Sequence, residues 1–88
     1  MKNVSLTLMN NDASRPIVEA ITADNPLAKV NEFPAMLKID CPGQLVVRRA
    51  SVSARAGREF DLQEIHLNLV SLAGNVSEDD DAFVVAWK

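Results

Sequence analysis

Apolar and polar residues change rhythm several times along the chain, and each rhythm predicts an element. Val4, Leu6 and Leu8 alternate with Ser5, Thr7 and Met9, the period-two pattern of a strand buried on one side. Asn10, Asn11 and Asp12 end it. Ser14 followed by Pro16 predicts a helix opening: the serine oxygen caps, and proline's missing N–H costs nothing in the first turn. Ile17, Ala20 and Ile21 then share one helical face, with Val18 beside them, until Asn25 meets Pro26. The residue before a proline is pushed out of the α region, so the helix stops there.

Leu27 to Phe33 reads as a short extended piece stopped by Pro34. Met36 to Ile39 and Leu45 to Val47 are apolar runs separated by Asp40, Cys41, Pro42 and Gly43, a turn signal that predicts a hairpin. Ser51 to Ala56 is helix-compatible and ends at Gly57. The stretch F-D-L-Q-E-I-H-L-N-L-V-S-L-A-G fits two templates. As a helix, Asp61 caps it, Glu64 completes a capping box, and Leu62, Ile65, Leu69 and Leu72 line one face. As a strand, Ile65, Leu67 and Leu69 alternate with His66, Asn68 and Val70, and periodicity does not separate the two. Phe83 to Trp87, rich in valine and aromatics, reads as a last strand. The sum is a single α+β domain, mostly antiparallel.

Length limits what such a domain can do. A chain of 88 residues buries roughly 60–65% of its unfolded surface, enough for one thin core and no deep enclosed cleft. With three Phe, one Trp and no Tyr, that core must be aliphatic. The net charge of −3 and the absence of a basic cluster argue against nucleic acid and against an anionic membrane surface. A single cysteine, Cys41, excludes an internal disulfide and any multi-thiolate metal site. The start has no apolar run of signal-peptide length and no stretch reaches a membrane span, which predicts a cytoplasmic protein.

The chemistry-bearing residues are few. The one histidine, His66, has no nucleophile motif near it and reads as a surface or edge residue. The acidic run Glu78, Asp79, Asp80 and Asp81 is contiguous, whereas a calcium loop spaces its ligands at alternate positions and includes a glycine. It therefore reads as a solvated turn. Cys41, inside C-P-G, reads as a turn residue. Neither G-x-G-x-x-G nor G-x-x-x-x-G-K occurs. The composition points to a binding or regulatory module, with a small-ligand-binding sensor domain as the alternative and a small enzyme built on His66 as a further rival.

Several stretches in order carry a resemblance: N-N-D-A-S-R-P-I-V-E-A-I at 10–21, D-N-P at 24–26 and P-A-M-L-K-I at 34–39. L-V-V-R-R at 45–49, G-R-E-F-D-L-Q-E at 57–64 and N-L-V-S-L-A-G-N-V-S-E-D-D-D-A-F-V-V-A-W at 68–87 continue it. Together they resemble the regulatory, or effector, components of bacterial multicomponent di-iron monooxygenases, and most of all those of phenol hydroxylases. The resemblance implies a corner-like arrangement of helices against antiparallel sheet, and it favours the strand reading for Glu64 to Val70. It implies no cofactor and no catalytic or metal-binding residue in this chain. The implied partner is the di-iron hydroxylase component, on which the protein docks to tune dioxygen activation; a flavin and iron–sulfur reductase competes for the same surface. The implied hydroxylase interface is Asn68, Val70, Ser71, Leu72 and Gly74, and an exposed docking face implies self-association when free. Relatives with a long N-terminal tail use it in hydroxylase binding; the stretch before the first helix is short here, so a tail role is expected to be small.

Overall fold

A computed structural model describes residues 2–87. The elements run β1 (Asn3–Met9), α1 (Arg15–Asp24), β2 (Lys29–Glu32), β3 (Met36–Pro42) and β4 (Gln44–Arg48), then α2 (Arg49–Ala56), α3 (Gln63–Asn68), β5 (Leu69–Ala73), β6 (Asn75–Glu78) and β7 (Ala82–Ala86). Two antiparallel sheets form, one ordered β2-β3-β1-β5 and the other β4-β7-β6. The predicted α+β class is the observed one.

The alternation in β1 does what it promised. Val4, Leu6 and Leu8 are fully buried, and they face Ile17, Ala20 and Ile21 of α1 and the inward residues of both sheets in one cluster. Ile39 and Cys41 come from β3, Leu45 and Val47 from β4, and Phe83 and Val85 from β7. Fully burying each such side chain contributes about 1.5–3 kcal/mol. Among the described residues no ladder joins the two sheets, and this shared apolar cluster packs them together. Burial also pushes the Cys41 thiol above its ordinary pKa, which suits a core residue better than a reactive one.

The predicted hairpin between residues 36–39 and 45–47 does not form. β3 pairs with β1 and β2, while β4 pairs with β7. Gly43, at φ 77°, turns the chain out of the first sheet into the second, and its N–H donates to Lys2 O at 2.9 Å instead of closing a two-strand turn. The helix cap also differs from expectation. The Ser14 hydroxyl is buried and has no hydrogen-bond partner among the described residues; its own N–H is taken by Asn11 Oδ1 at 2.9 Å, so the capping oxygen sits one turn earlier.

At the far end of α1, Asn25 is buried and does double service. Its Nδ2 donates to Ile21 O at 2.9 Å and to Val46 O at 2.8 Å, while its Oδ1 accepts from Val46 N at 3.0 Å. The side-chain amide thereby pairs with the outer edge of β4 as a neighbouring strand would. Near the chain ends, Trp87 Nε1 donates to Asn3 O at 2.8 Å, and Lys2 Nζ lies 5.0 Å from the indole centroid.

Residues 64–68 are helical, not strand as the family resemblance favours. The local chemistry that wins is the capping box. Asp61 Oδ1 accepts from Gln63 N at 2.9 Å, and the Glu64 carboxylate reaches back to Asp61 N at 3.2 Å. The helix buries Ile65, and the chain becomes extended only at Leu69.

Candidate functional site

A strand at the rim of a sheet exposes unpaired backbone groups, and proteins normally blunt such rims with charge, cover or irregularity. Two rims here are managed. The β2 rim carries Lys29 and Glu32 at its ends, and the β4 rim is occupied by the Asn25 amide. The third is different. β5 ends the first sheet and β6 ends the second, joined only by Gly74, so residues 69–78 form one continuous rim across both sheets. From Leu69 to Ser77 that rim holds no charged residue.

Its shape is set by a bulge and a kink. Thr7 pairs with Ser71 and Leu8 with Leu69, which leaves Val70 as the extra residue of a β-bulge. Bulges twist a rim and re-aim a side chain, and Val70 is 51% exposed. Gly74 has φ 141°, and a Cβ there would lie 2.6 Å from Val85 Cγ1 and 3.2 Å from Val4 Cγ1. Only glycine allows the rim to pass this close to the core while crossing between sheets.

The residues singled out from sequence therefore divide. Val70 and Ser71 present their side chains outward. Leu72 is half-buried against the core, opposite Leu6, and Gly74 shapes the path. Asn68 is turned inward: Nδ2 donates to Glu64 O at 3.2 Å, and Oδ1 accepts from Asn11 Nδ2 at 2.9 Å. It ties the end of α3 to the turn after β1 and supports the surface from behind.

One residue escaped the sequence reading. Leu67, at 77% exposure, is the most exposed large apolar side chain among the described residues. In a helix it lies off the face made by Leu62, Ile65 and Leu69, and that mismatch was its signal; the strand reading hid it among inward positions. Met9 and Met36, cross-strand neighbours, and Phe33 in the β2–β3 turn add exposed apolar area at the same end of the first sheet.

Polar groups frame this rim on one side. His66 Nε2 lies 2.9 Å from Glu78 Oε1, with its ring edge-on to Phe83 at 5.7 Å, so His66 is a surface residue with a structural partner. Arg58 holds the Glu64 carboxylate at 2.6 and 3.0 Å. The Arg58 hydrogen bond keeps that carboxyl below its usual range, outweighing partial desolvation. In the acidic run, Asp79 Oδ1 accepts from Asp81 N at 2.8 Å and Ala82 N at 2.9 Å. These backbone donors lower the Asp79 pKa and make Asp79 to Asp81 the hairpin turn between β6 and β7 that contiguity predicted, whereas Glu78 departs from that expectation by ending β6 opposite Phe83.

The whole chain has known counterparts. A structure of the phenol hydroxylase–regulatory protein complex contains a chain that superposes with a TM-score of 0.93 at 40% identity, covering 99% of this chain and 100% of the other. The soluble methane monooxygenase regulatory protein B shares the fold, at TM-score 0.76 and 21% identity over 98% of this chain and 65% of that one. In sequence, the protein is 44% identical over 85 residues to the stimulatory component DmpM of phenol 2-monooxygenase from Pseudomonas sp. strain CF600, spanning 97% of this chain and 94% of the relative. Residues 2–86 match the MmoB/DmpM family, and with the fold and the chain-long identity in agreement, the protein belongs to that family.

Proposed function

We propose that this chain is the stimulatory, non-catalytic component of a phenol hydroxylase-type monooxygenase. It docks on the di-iron hydroxylase and tunes the active site for dioxygen activation and substrate hydroxylation. The observation that carries this reading is the chain-long match to a regulatory protein in complex with phenol hydroxylase, joined to 44% identity with a stimulatory component of phenol 2-monooxygenase. The redox groups of the reaction belong to the hydroxylase and to its flavin and iron–sulfur reductase, and the protein works beside them in the cytoplasm.

The docking face is the uncharged rim of β5 and β6, with Val70 and Ser71 at its centre and Leu72, Gly74 and Asn68 shaping it from within. Leu67 extends it. Support comes from the contrast with the other rims among the described residues: this one combines an outer strand edge, exposed apolar side chains and no charge from Leu69 to Ser77.

A module without a reacting group changes a rate through differential binding. It must hold the turnover-competent hydroxylase conformation more tightly than the resting one. A tenfold population shift needs about 1.4 kcal/mol of such preference, which a few buried contacts on this rim supply. The reductase competes for the same hydroxylase surface, and free copies pair through the same rim.

The test is substrate-dependent NADH consumption and product formation by hydroxylase and reductase while this protein is titrated. Product rising many-fold and then falling at excess protein is expected. No change across the titration overturns the effector reading, and a plain saturating rise removes the competition with reductase.

A further inference from the structure

Among the four consecutive acids, three have duties in or beside the turn or stand in solvent, and Glu78 stands apart. It is the last residue of β6, and its carboxylate points back at α3. Oε1 lies 2.9 Å from His66 Nε2, and Oε2 accepts from Gln63 Nε2 at 3.0 Å. Gln63 and His66 are three apart and so share one face of the helix. Between the two ends of this clamp lies the docking rim, from Leu69 to Ser77.

We propose that Glu78 is a positioning residue: by tying α3 to β6 with one carboxylate, it holds the bulged β5 rim in the shape that meets the hydroxylase. This rests on the docking reading above and names what regulates that site's geometry. α3 has only six residues, far too few to persist by itself. It is secured at its start by Arg58 through Glu64, and along its side by Glu78. β5 is a short outer strand interrupted by a bulge, and its ladder to β1 leaves its outer side unsupported. Closing the chain from 63 to 78 with a side-chain clamp limits the conformations open to the intervening rim.

The surroundings favour a fixed geometry. The His66 ring is braced edge-on against Phe83, which is fully buried. The Glu78 side chain is less exposed than that of His66, 22% against 44%. The cleft beside Glu78 also holds Glu59, Asp61, Asp79 and Asp80 with Arg49. Arg49 is engaged by Glu59 at 3.5 Å and Asp81 at 3.6 Å, which leaves His66 and Gln63 as the groups that bind the Glu78 carboxylate.

The experiment uses the full-length protein with its cognate hydroxylase and four variants: Glu78→Ala, Glu78→Gln, His66→Ala and the Glu78→Ala/His66→Ala pair. Hydroxylase affinity is measured by titration, and amide hydrogen exchange is followed in the free protein. Glu78→Ala is expected to weaken binding about tenfold and to speed exchange across residues 69–77 while β1 and β3 amides keep their protection. Glu78→Gln, which keeps an acceptor for His66, restores most of the affinity, and the pair is no worse than Glu78→Ala because both act through one contact. Weaker binding with unchanged exchange overturns the proposal, since Glu78 then touches the hydroxylase directly. Exchange raised uniformly over both sheets overturns it too, in favour of general stability. Should Glu78→Ala not fold, Glu78→Gln and His66→Ala carry the same comparison. Val70→Asp serves as the control: if it weakens binding and Glu78→Ala does not, the clamp alone fails; if neither does, the docking face is elsewhere.

Discussion

Replacing Asn25 with aspartate changes one atom in a side chain and removes most of what it does. The amide makes three hydrogen bonds, two as donor to Ile21 O and Val46 O and one as acceptor from Val46 N. An aspartate keeps the acceptor and turns a carboxylate oxygen toward two carbonyl oxygens. Two lost bonds cost about 0.5–1.5 kcal/mol each, and stranding the Val46 carbonyl adds about 1–3 kcal/mol, whereas Ile21 O keeps the Asn25 backbone N–H at 2.8 Å. A loss of about 3–5 kcal/mol at pH 7 follows, set against about 4–13 kcal/mol for a domain of this length. In thermal unfolding that is a fall of roughly 15–35 °C. The protonated carboxyl can donate one bond again, so the new group's folded pKa lies above its unfolded one. The deficit is therefore complete above that folded value and shrinks as pH falls through it. Circular dichroism melts from pH 4 to 8 at fixed ionic strength measure both effects. A variant within 0.5 kcal/mol of the parent at pH 7, or a deficit that does not shrink toward acid, refutes the strand-mimic account of Asn25.

Gly74→Ala should destabilise by about 2–4 kcal/mol in urea unfolding, from backbone strain at φ 141° plus collision with Val85; adding Val85→Ala relieves the collision and leaves the strain, so the two should be less than additive. Val70→Asp is expected to leave the melting temperature within a few degrees, since its side chain is solvated, yet to weaken hydroxylase binding at least tenfold by placing a charge in a desolvated contact; unchanged affinity in a binding titration removes Val70 from the interface. Arg58→Ala should lower stability at neutral pH, and the gap to the parent should close as pH falls through the folded Glu64 pKa. The Glu64 carboxyl has a depressed folded pKa because of Arg58, so that stabilisation exists above its unfolded value and vanishes as pH falls through the folded one. Melts across pH check this, and added salt should narrow the gap.

What could be read from the chain was local. β1 announced itself by strict alternation, and α1 by the spacing of Ile17, Ala20 and Ile21 and by its stop at Asn25. The turn at Asp79 to Asp81 was recognisable because adjacent carboxylates do not readily converge on one ion, but Glu78 as a strand residue was not. The capping box at Asp61 and Glu64 was also legible, and it outweighed the family-based preference for strand. What stayed hidden depended on partners distant in sequence. A proline–glycine turn looks the same whether it closes a hairpin or hands the chain to another sheet, and only the β4–β7 pairing distinguishes them. The bareness of the β5–β6 rim is likewise a comparison among three rims, and the clamp from Glu78 to α3 exists only once that helix is known to be one.

Trp87 has a consequence of a different kind. It is the sole tryptophan in a chain without tyrosine, and its indole is fixed to the Asn3 end of β1. The bulge at Val70 faces Thr7 and Leu8, so at about 3.3 Å per residue the two lie some 13–17 Å apart along the strand. Intrinsic fluorescence is therefore a single-site signal from the strand end remote from the Val70 bulge and next to the Asn75 end of the rim, since Asn75 pairs with Ala86. Emission from the free protein reports release of the first strand from Trp87, and substitutions at Val70 and Ser71 can be ranked for stability without altering the chromophore's own surroundings.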